Sequence, residues 1–500
     1  MQILYDSTRG GEKGLTASQT ILKGLAGDGG LFVPQQFPKL DVSLSDLAKK
    51  DYREVAFEVL RLFLTDFTDE ELHYCIDHAY DEKFDTPEIC PLHEADGTWY
   101  LELFHGKTIA FKDMALSILP YLMTVSARKN DIHNEIVILT ATSGDTGKAA
   151  LAGFADVPGT SIIVFYPKDG VSPVQEKQMV TQKGENTHVV AIRGNFDDAQ
   201  TGVKNIFNNK ELREELLEKG YQFSSANSIN VGRLVPQVAY YVYAYTRLLA
   251  EGVIEENDPV NFTVPTGNFG NILAAYYASQ IGVPVNKLIC ASNKNKVLFD
   301  FFRTGTYDRN RPFYVTTSPS MDILVSSNLE RLLYQIARKD PQETASLMQS
   351  LNTGGSYAVT EEMRAALDGF YGDFATEEEV MDTIHAIYKE ESYVIDPHTA
   401  VAASVYRRYR EDTKDTTPTV LASTASPYKF GRSVLHAIDP GRFDGQTDDE
   451  QFYSLHDISG IEIPQAIREL MQAEVRHKTV VDPEKMEQAV RDRIIRPSRP

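Results

Sequence analysis

The sequence predicts an α/β protein built on open parallel sheets covered by helices, and three observations carry that expectation. The apolar run at 136–139 enters ATSGDTG and continues into KAALAGFA, which reads as strand, loop and helix. The segment VNFTVPTGNFGNILAAYYASQIG repeats the arrangement, with a strand near 261–264 and a helix from about Asn271. Further strand-like runs occur at 161–166 and 189–192, in KLICAS ending at Ser292 and in TPTVLAST ending at Thr424. Strands alternating with helices give parallel sheets, which bind ligands outside the carboxyl ends of their strands.

A chain of 500 residues, 42% of them hydrophobic, exceeds the size of a single core, so two or three domains are expected. Residues 1–95 carry mostly amphipathic helical patterns such as LSDLAKKDYREVAFEVLRLFL and predict a separate helical cap. Residues 96–440 form the main core, with a smaller α/β domain nested at about 125–230. The charged text LERLLYQIARKD and TEEMRAALDGFYG predicts a helical insertion at about 305–395. Residues 441–500, with EIPQAIRELMQAEVRHK, predict a helical tail packed on that core.

The three cysteines, Cys75, Cys90 and Cys290, form no CxxC pair and no ligand-spaced cluster with histidine, so neither disulfides nor a metal are expected. A net charge of −21 opposes nucleic acid as a partner. No membrane span or leader is evident, and the expected location is the reducing cytoplasm.

Four segments carry candidate chemistry. In LFHGKTIAFKDMA, Lys112 lies between Phe111 and Asp113; apolar surroundings favour the free amine that Schiff-base chemistry needs, although a solvated lysine with a buried stem fits the same text. ATSGDTG places Thr142, Ser143, Gly144, Asp145, Thr146 and Gly147 at a helix start, suited either to an anion such as a carboxylate or to simple helix capping. PTGNFGN places Gly267, Asn268, Phe269, Gly270 and Asn271 similarly, suited to a phosphate; a dinucleotide loop is the rival, against which its G-x-x-G spacing stands. SSANSINVGR holds Asn227, Ser228, Asn230 and Arg233, either a phosphate site or a surface turn.

In this order, GLAGDGGLFVP, FHGKTIAFKD, TATSGDTGKAA, PVQEKQM, NSINVGR, PTGNFGN, SPSMDI, DPHTA and STASPYKF make the chain resemble the threonine synthases, in particular their longer bacterial and fungal branch. The resemblance implies the fold type II architecture of pyridoxal-phosphate enzymes, akin to tryptophan synthase β, with two open parallel-sheet domains. It implies pyridoxal 5'-phosphate held covalently by Lys112, its phosphate cradled by residues 267–271, and Thr424 facing its ring nitrogen. It further implies O-phospho-L-homoserine as substrate, its carboxylate at the 142–145 loop and its phosphate at Asn227, Ser228 and Arg233 with help from Thr146. A phospholyase yielding 2-oxobutyrate and a catalytically silent binding paralogue share these motifs. Two departures stand out: family members usually read HGPT and AHPAKF where this chain has Lys107 and, in ASPYKF, Ser426 and Tyr428. A monomer or homodimer is expected.

Overall fold

The computed structural model describes residues 2–142, 144–171 and 173–495. Its larger sheet has six strands in the order Phe370–Phe374, Val285–Ser292, Val260–Pro265, Thr419–Ser423, Thr98–Glu102, Leu92–Ala95. All neighbours run parallel except the last pair, which is an antiparallel hairpin. The smaller sheet is wholly parallel, with five strands in the order Thr479–Val481, Thr187–Ile192, Thr160–Pro167, Glu135–Ala141, Tyr221–Ser224. Central strands such as Thr160–Pro167 and Val260–Pro265 are buried at every residue, as a sheet covered on both faces demands.

The leading region does form helices, but not as one run and not as a separate body. LSDLAKKDYREVAFEVLRLFL breaks into Leu44–Leu47 and Tyr52–Phe63, because Asp51 caps the second helix in a reciprocal box with Glu54. The apolar face of Tyr52–Phe63 packs on the long helix Val231–Ala250, and its residues Val55, Val59 and Phe63 belong to the same continuous core as Phe262 and Ile272. The expected separate cap is therefore part of the main core.

Two other expectations need correction. The 305–395 segment is not a purely helical insertion, since Phe370–Phe374 supplies the edge strand of the larger sheet, pairing Leu288 with Phe370 and Ser292 with Phe374. DGFYGDF hides this because Gly and Asp are poor strand formers. What holds the strand is tertiary: Phe370 stacks on Phe302 at 5.2 Å, and Gly372 leaves room for the same ring. The tail likewise contains a strand, Thr479–Val481, which extends the smaller sheet beside Thr187–Ile192 before the helix Met486–Ile494 packs over it.

One close approach ties this framework to the site. Helix Asp145–Phe154 lies against helix Lys112–Leu116, and a Cβ at Gly153 would stand 2.1 Å from the Leu116 carbonyl oxygen. A backbone atom cannot swing aside as a side chain does. In an open helix Gly→Ala stabilises by about 1 kcal/mol; here the sign should reverse. Gly153→Ala is expected to cost about 1–3 kcal/mol and to lower the thermal unfolding midpoint measured by circular dichroism.

Candidate active site

Lys112 is the first residue of its helix and is placed by a lacing of two neighbouring strand ends. The Leu103 N–H donates to the Ser423 carbonyl at 2.9 Å, the Phe111 N–H to Thr424 at 2.8 Å, and the Ser426 N–H to Ile109 at 3.0 Å. Thr424 is thereby held beside Lys112 at the carboxyl end of the larger sheet. Asp113 closes the loop by accepting from the Thr108 N–H at 2.7 Å and its hydroxyl at 2.6 Å. Gly106 is needed there, since a Cβ would sit 2.6 Å from that carboxylate.

Around the amine lies a compact ionic cluster. Lys112 Nζ donates to Ser320 Oγ at 3.2 Å and stands 3.8 Å from Asp145 Oδ2. Ser320 Oγ in turn donates to Asp145 Oδ2 at 3.0 Å. The other carboxylate oxygen of Asp145 faces Lys429 Nζ at 3.2 Å and accepts from Gln175 Nε2 at 2.9 Å. Lys429 Nζ also donates to the Thr108 carbonyl at 2.9 Å. Behind Ser320, its backbone N–H donates to His398 Nε2 at 3.2 Å while His398 Nδ1 bonds Asp396 at 2.7 Å. That pattern assigns the proton to Nδ1, because a nitrogen that accepts carries none.

The electrostatics favour a free amine. Burial pushes Lys112 down to about 8; Asp145 opposes the change, and the positive charges of Lys429 and Arg233 add to it. Burial alone would raise the Asp145 carboxyl, but Lys429 and Lys112 overcome that and hold it well below the usual carboxylate range. Two ammonium groups thus compete for one anion.

The glycine-rich loop 267–271 joins strand Val260–Pro265 to helix Gly270–Ile281, with Phe269 in the left-handed region at φ 67°. A Cβ at Gly267 would lie 2.7 Å from the Ser320 carbonyl oxygen, so this loop abuts the Ser320 loop that faces Lys112. Asn271 Oδ1 accepts from the hydroxyls of Tyr240 and Tyr241, both at 2.6 Å. Its Nδ2 is buried with no hydrogen-bond partner among the described residues. Arg233, in the first turn of helix Val231–Ala250, donates from Nη1 to the Ala226 carbonyl at 2.8 Å, and its Nε is likewise buried and unpaired among them. Burial lowers the guanidinium to about 10. Asn227 is exposed, with its N–H on Ser225 Oγ, and Ser228 Oγ accepts from Asn328 Nδ2 at 3.5 Å.

Part of the ATSGDTG loop is bonded to itself: Thr142 Oγ1 accepts from the N–H groups of Gly144 and Gly147, each at 3.0 Å, while the same hydroxyl still carries one O–H donor. Asp145, expected among the substrate contacts, is the counter-ion of Lys112 and Lys429. Thr146 is half-buried in the first turn of the helix, and Ser143 lies outside the described residues. Ser320, His398, Lys429 and Gln175 lie in the motifs SPSMDI, DPHTA, STASPYKF and PVQEKQM, but their place in the site is not legible there, because each meets its partner across thirty or more residues of chain. Of the departures, Lys107 is exposed, and Ser426 caps the short turn Pro427–Phe430 by accepting from the Tyr428 N–H.

Pyridoxal 5'-phosphate suits these residues: a buried amine of low pKa for its aldehyde, and unpaired buried donors with a glycine-rich helix start for its phosphate. Fold and site together define a fold type II pyridoxal-phosphate-dependent enzyme. Family models match in chain order: threonine synthase N terminus over residues 4–80, pyridoxal-phosphate dependent enzyme over 91–424, and threonine synthase, C-terminal over 399–494. The chain belongs to the threonine synthase family. It is 38% identical to threonine synthase of Schizosaccharomyces pombe over 90% of this chain and 94% of that one. Human threonine synthase-like 1 is 40% identical over 88% of this chain, which spans 60% of that protein. The crystal structure of PLP-bound threonine synthase from Brucella melitensis superposes with a TM-score of 0.87 at 35% identity, covering 98% of this chain and 99% of that one. Among the described residues no helix is long and apolar enough to cross a membrane, and no cluster is arranged to hold a metal.

Lys429→Met removes one of the two cations sharing Asp145, so Lys112 should keep its proton to higher pH. The midpoint for borohydride-trapped capture of pyridoxal phosphate, expected near pH 8 in the native protein, should rise by about one unit. Asp145→Asn removes the anion and should lower it; stopped-flow absorbance across pH measures both.

Proposed function

We infer that this member of the threonine synthase family converts O-phospho-L-homoserine and water into L-threonine and phosphate, with residues 267–271 holding the cofactor phosphate and Arg233 holding that of the substrate. The observation that carries this reading is the presence of two separate anion-suited groups, the loop at Asn271 and the guanidinium of Arg233, each with a buried unpaired donor, around one amine of lowered pKa. A free hydroxy amino acid as substrate would leave the second of these desolvated and unused.

When bound, the cofactor supplies an aldehyde that links to amines and a ring that spreads the negative charge left at Cα. The protein does the rest. Lys112 would take the Cα proton; its pKa, lowered to about 8, leaves roughly a tenth of it as free amine at pH 7, far more than an ordinary lysine offers. Ser320 and Asp145 orient that amine, and the Asp145 carboxylate stabilises it when it carries the proton. Arg233 binds the γ-phosphate and carries the charge that grows as the Cγ–O bond breaks. That cleavage needs a second proton removed, from Cβ, whose electron pair forms the Cβ–Cγ bond as phosphate leaves; Lys112 would then return one proton at Cγ and, after the hydroxide of water adds at Cβ, one at Cα. The departed phosphate, kept by Arg233, has a second pKa near neutrality and serves as base for that water. With the Lys112 side chain only 11% exposed, competing hydrolysis is limited.

The test is product analysis with O-phospho-L-homoserine. The native chain should form threonine and phosphate in equal amounts; 2-oxobutyrate as main product would make it a phospholyase. Lys112→Ala should show no borohydride-trapped cofactor and no turnover. Arg233→Ala should retain the cofactor but lose about 2–4 kcal/mol in kcat/KM, roughly a 30- to 1000-fold drop, and should release a larger share as 2-oxobutyrate.

A further inference from the structure

Arg331, in helix Leu329–Ile336, is fully buried. Among the described residues no carboxylate lies within 4 Å of it; the adjacent Glu330 is taken by Arg9 at 2.8 Å and by the Thr8 hydroxyl at 2.6 Å. The guanidinium is solvated instead by oxygens from three parts of the chain. Nε donates to the Phe32 carbonyl at 2.9 Å, Nη2 to the Ile229 carbonyl at 2.5 Å, and Nη1 to Asn328 Oδ1. Asn328 passes the connection on: its N–H and its Nδ2 both donate to the Asn268 carbonyl at 3.1 Å, and Nδ2 also reaches Ser228 Oγ.

A buried cation without an anion is expensive, and a well-packed apolar side chain would fill the same volume at lower cost. What an apolar side chain cannot do is bond three carbonyl-type oxygens in one plane, which the guanidinium fork does. Ile229 belongs to the loop that presents Arg233, Asn268 to the loop that ends at Asn271, and Phe32 to the ribbon Tyr5–Ser7 with Phe32–Pro34 in the leading region.

We propose that Arg331, with Asn328, is a positioning residue that sets the spacing between the two phosphate-binding loops and anchors both to the N-terminal region. The proposal rests on the reading of loops 227–233 and 267–271 as phosphate sites. It gives the leading ribbon a part in ligand binding, since its Phe32 carbonyl is one leg of the clamp, and the Arg9–Glu330 pair holds the ribbon against the helix that bears Arg331.

The test compares full-length protein resolved of cofactor, as wild type, Arg331→Lys and Asn328→Ala. Lysine keeps the charge but cannot span the three oxygens; alanine keeps Arg331 and cuts the link to Asn268. Affinities for pyridoxal 5'-phosphate and for pyridoxal, which lacks the phosphate, are read by absorbance, and steady-state kinetics are run on the reconstituted enzyme. Both variants should lose roughly tenfold of the preference for the phosphorylated form and raise KM for O-phospho-L-homoserine, with kcat changed by less than about threefold. Equal weakening toward both cofactor forms would show general loosening and overturn the proposal, as would an unchanged preference. Should Arg331→Lys not fold, Asn328→Ala decides alone by the same criterion. A wild-type chain with no preference for the phosphorylated form would overturn the loop reading itself, which separates that failure from failure of the clamp.

Discussion

Two buried ammonium groups, on Lys112 and Lys429, lean on the single carboxylate of Asp145. The cluster as a whole carries an excess positive charge in a place where water cannot screen it, and the least costly relief is for one lysine to release its proton. Lys429 also donates to the Thr108 carbonyl, whereas Lys112 has the 3.8 Å contact and the like charge of Arg233 nearby. Burial and these like charges lower Lys112 to about 8, toward the free amine that a carbonyl cofactor needs.

The rest of the architecture keeps those three side chains in place. Lys112 and Asp145 begin two helices that rise from different sheets, and those helices meet at Gly153 against the Leu116 carbonyl. Lys429 arrives on the turn after strand Thr419–Ser423, whose end is bonded to the loop leading to Lys112. Parallel sheets bring such loops to one edge, since every strand delivers its carboxyl end there. Removing one partner of the buried ion cluster would leave a charge stranded, at about 3–5 kcal/mol.

The leading region shows the same economy in a different form. Its core is continuous with that of the sheet domains, and its ribbon reaches the anion loops through Arg331. A charge solvated by carbonyls stays fixed in direction, so the loops bonded to it are preorganised for the ligand they meet.

Local chemistry was legible in the sequence where it depends on near neighbours. Strand-loop-helix units at 135–154 and 260–281, the glycine-rich start of the second helix, and Lys112 with its apolar flank are written in residues a few positions apart. The order of motifs was enough to indicate the family, and with it the cofactor. What the tertiary structure alone decided are relations between distant segments. Phe370–Phe374 is a strand because Phe302 and the edge of a sheet accept it, against its own propensity. Asp145 is a counter-ion shared by two lysines because Lys429, far along the chain, comes to lie 3.2 Å away. Electrostatic energy depends on distance in space and on burial, neither of which a linear order of residues contains, so the sequence determined which groups could react and the fold determined how readily Lys112 gives up its proton.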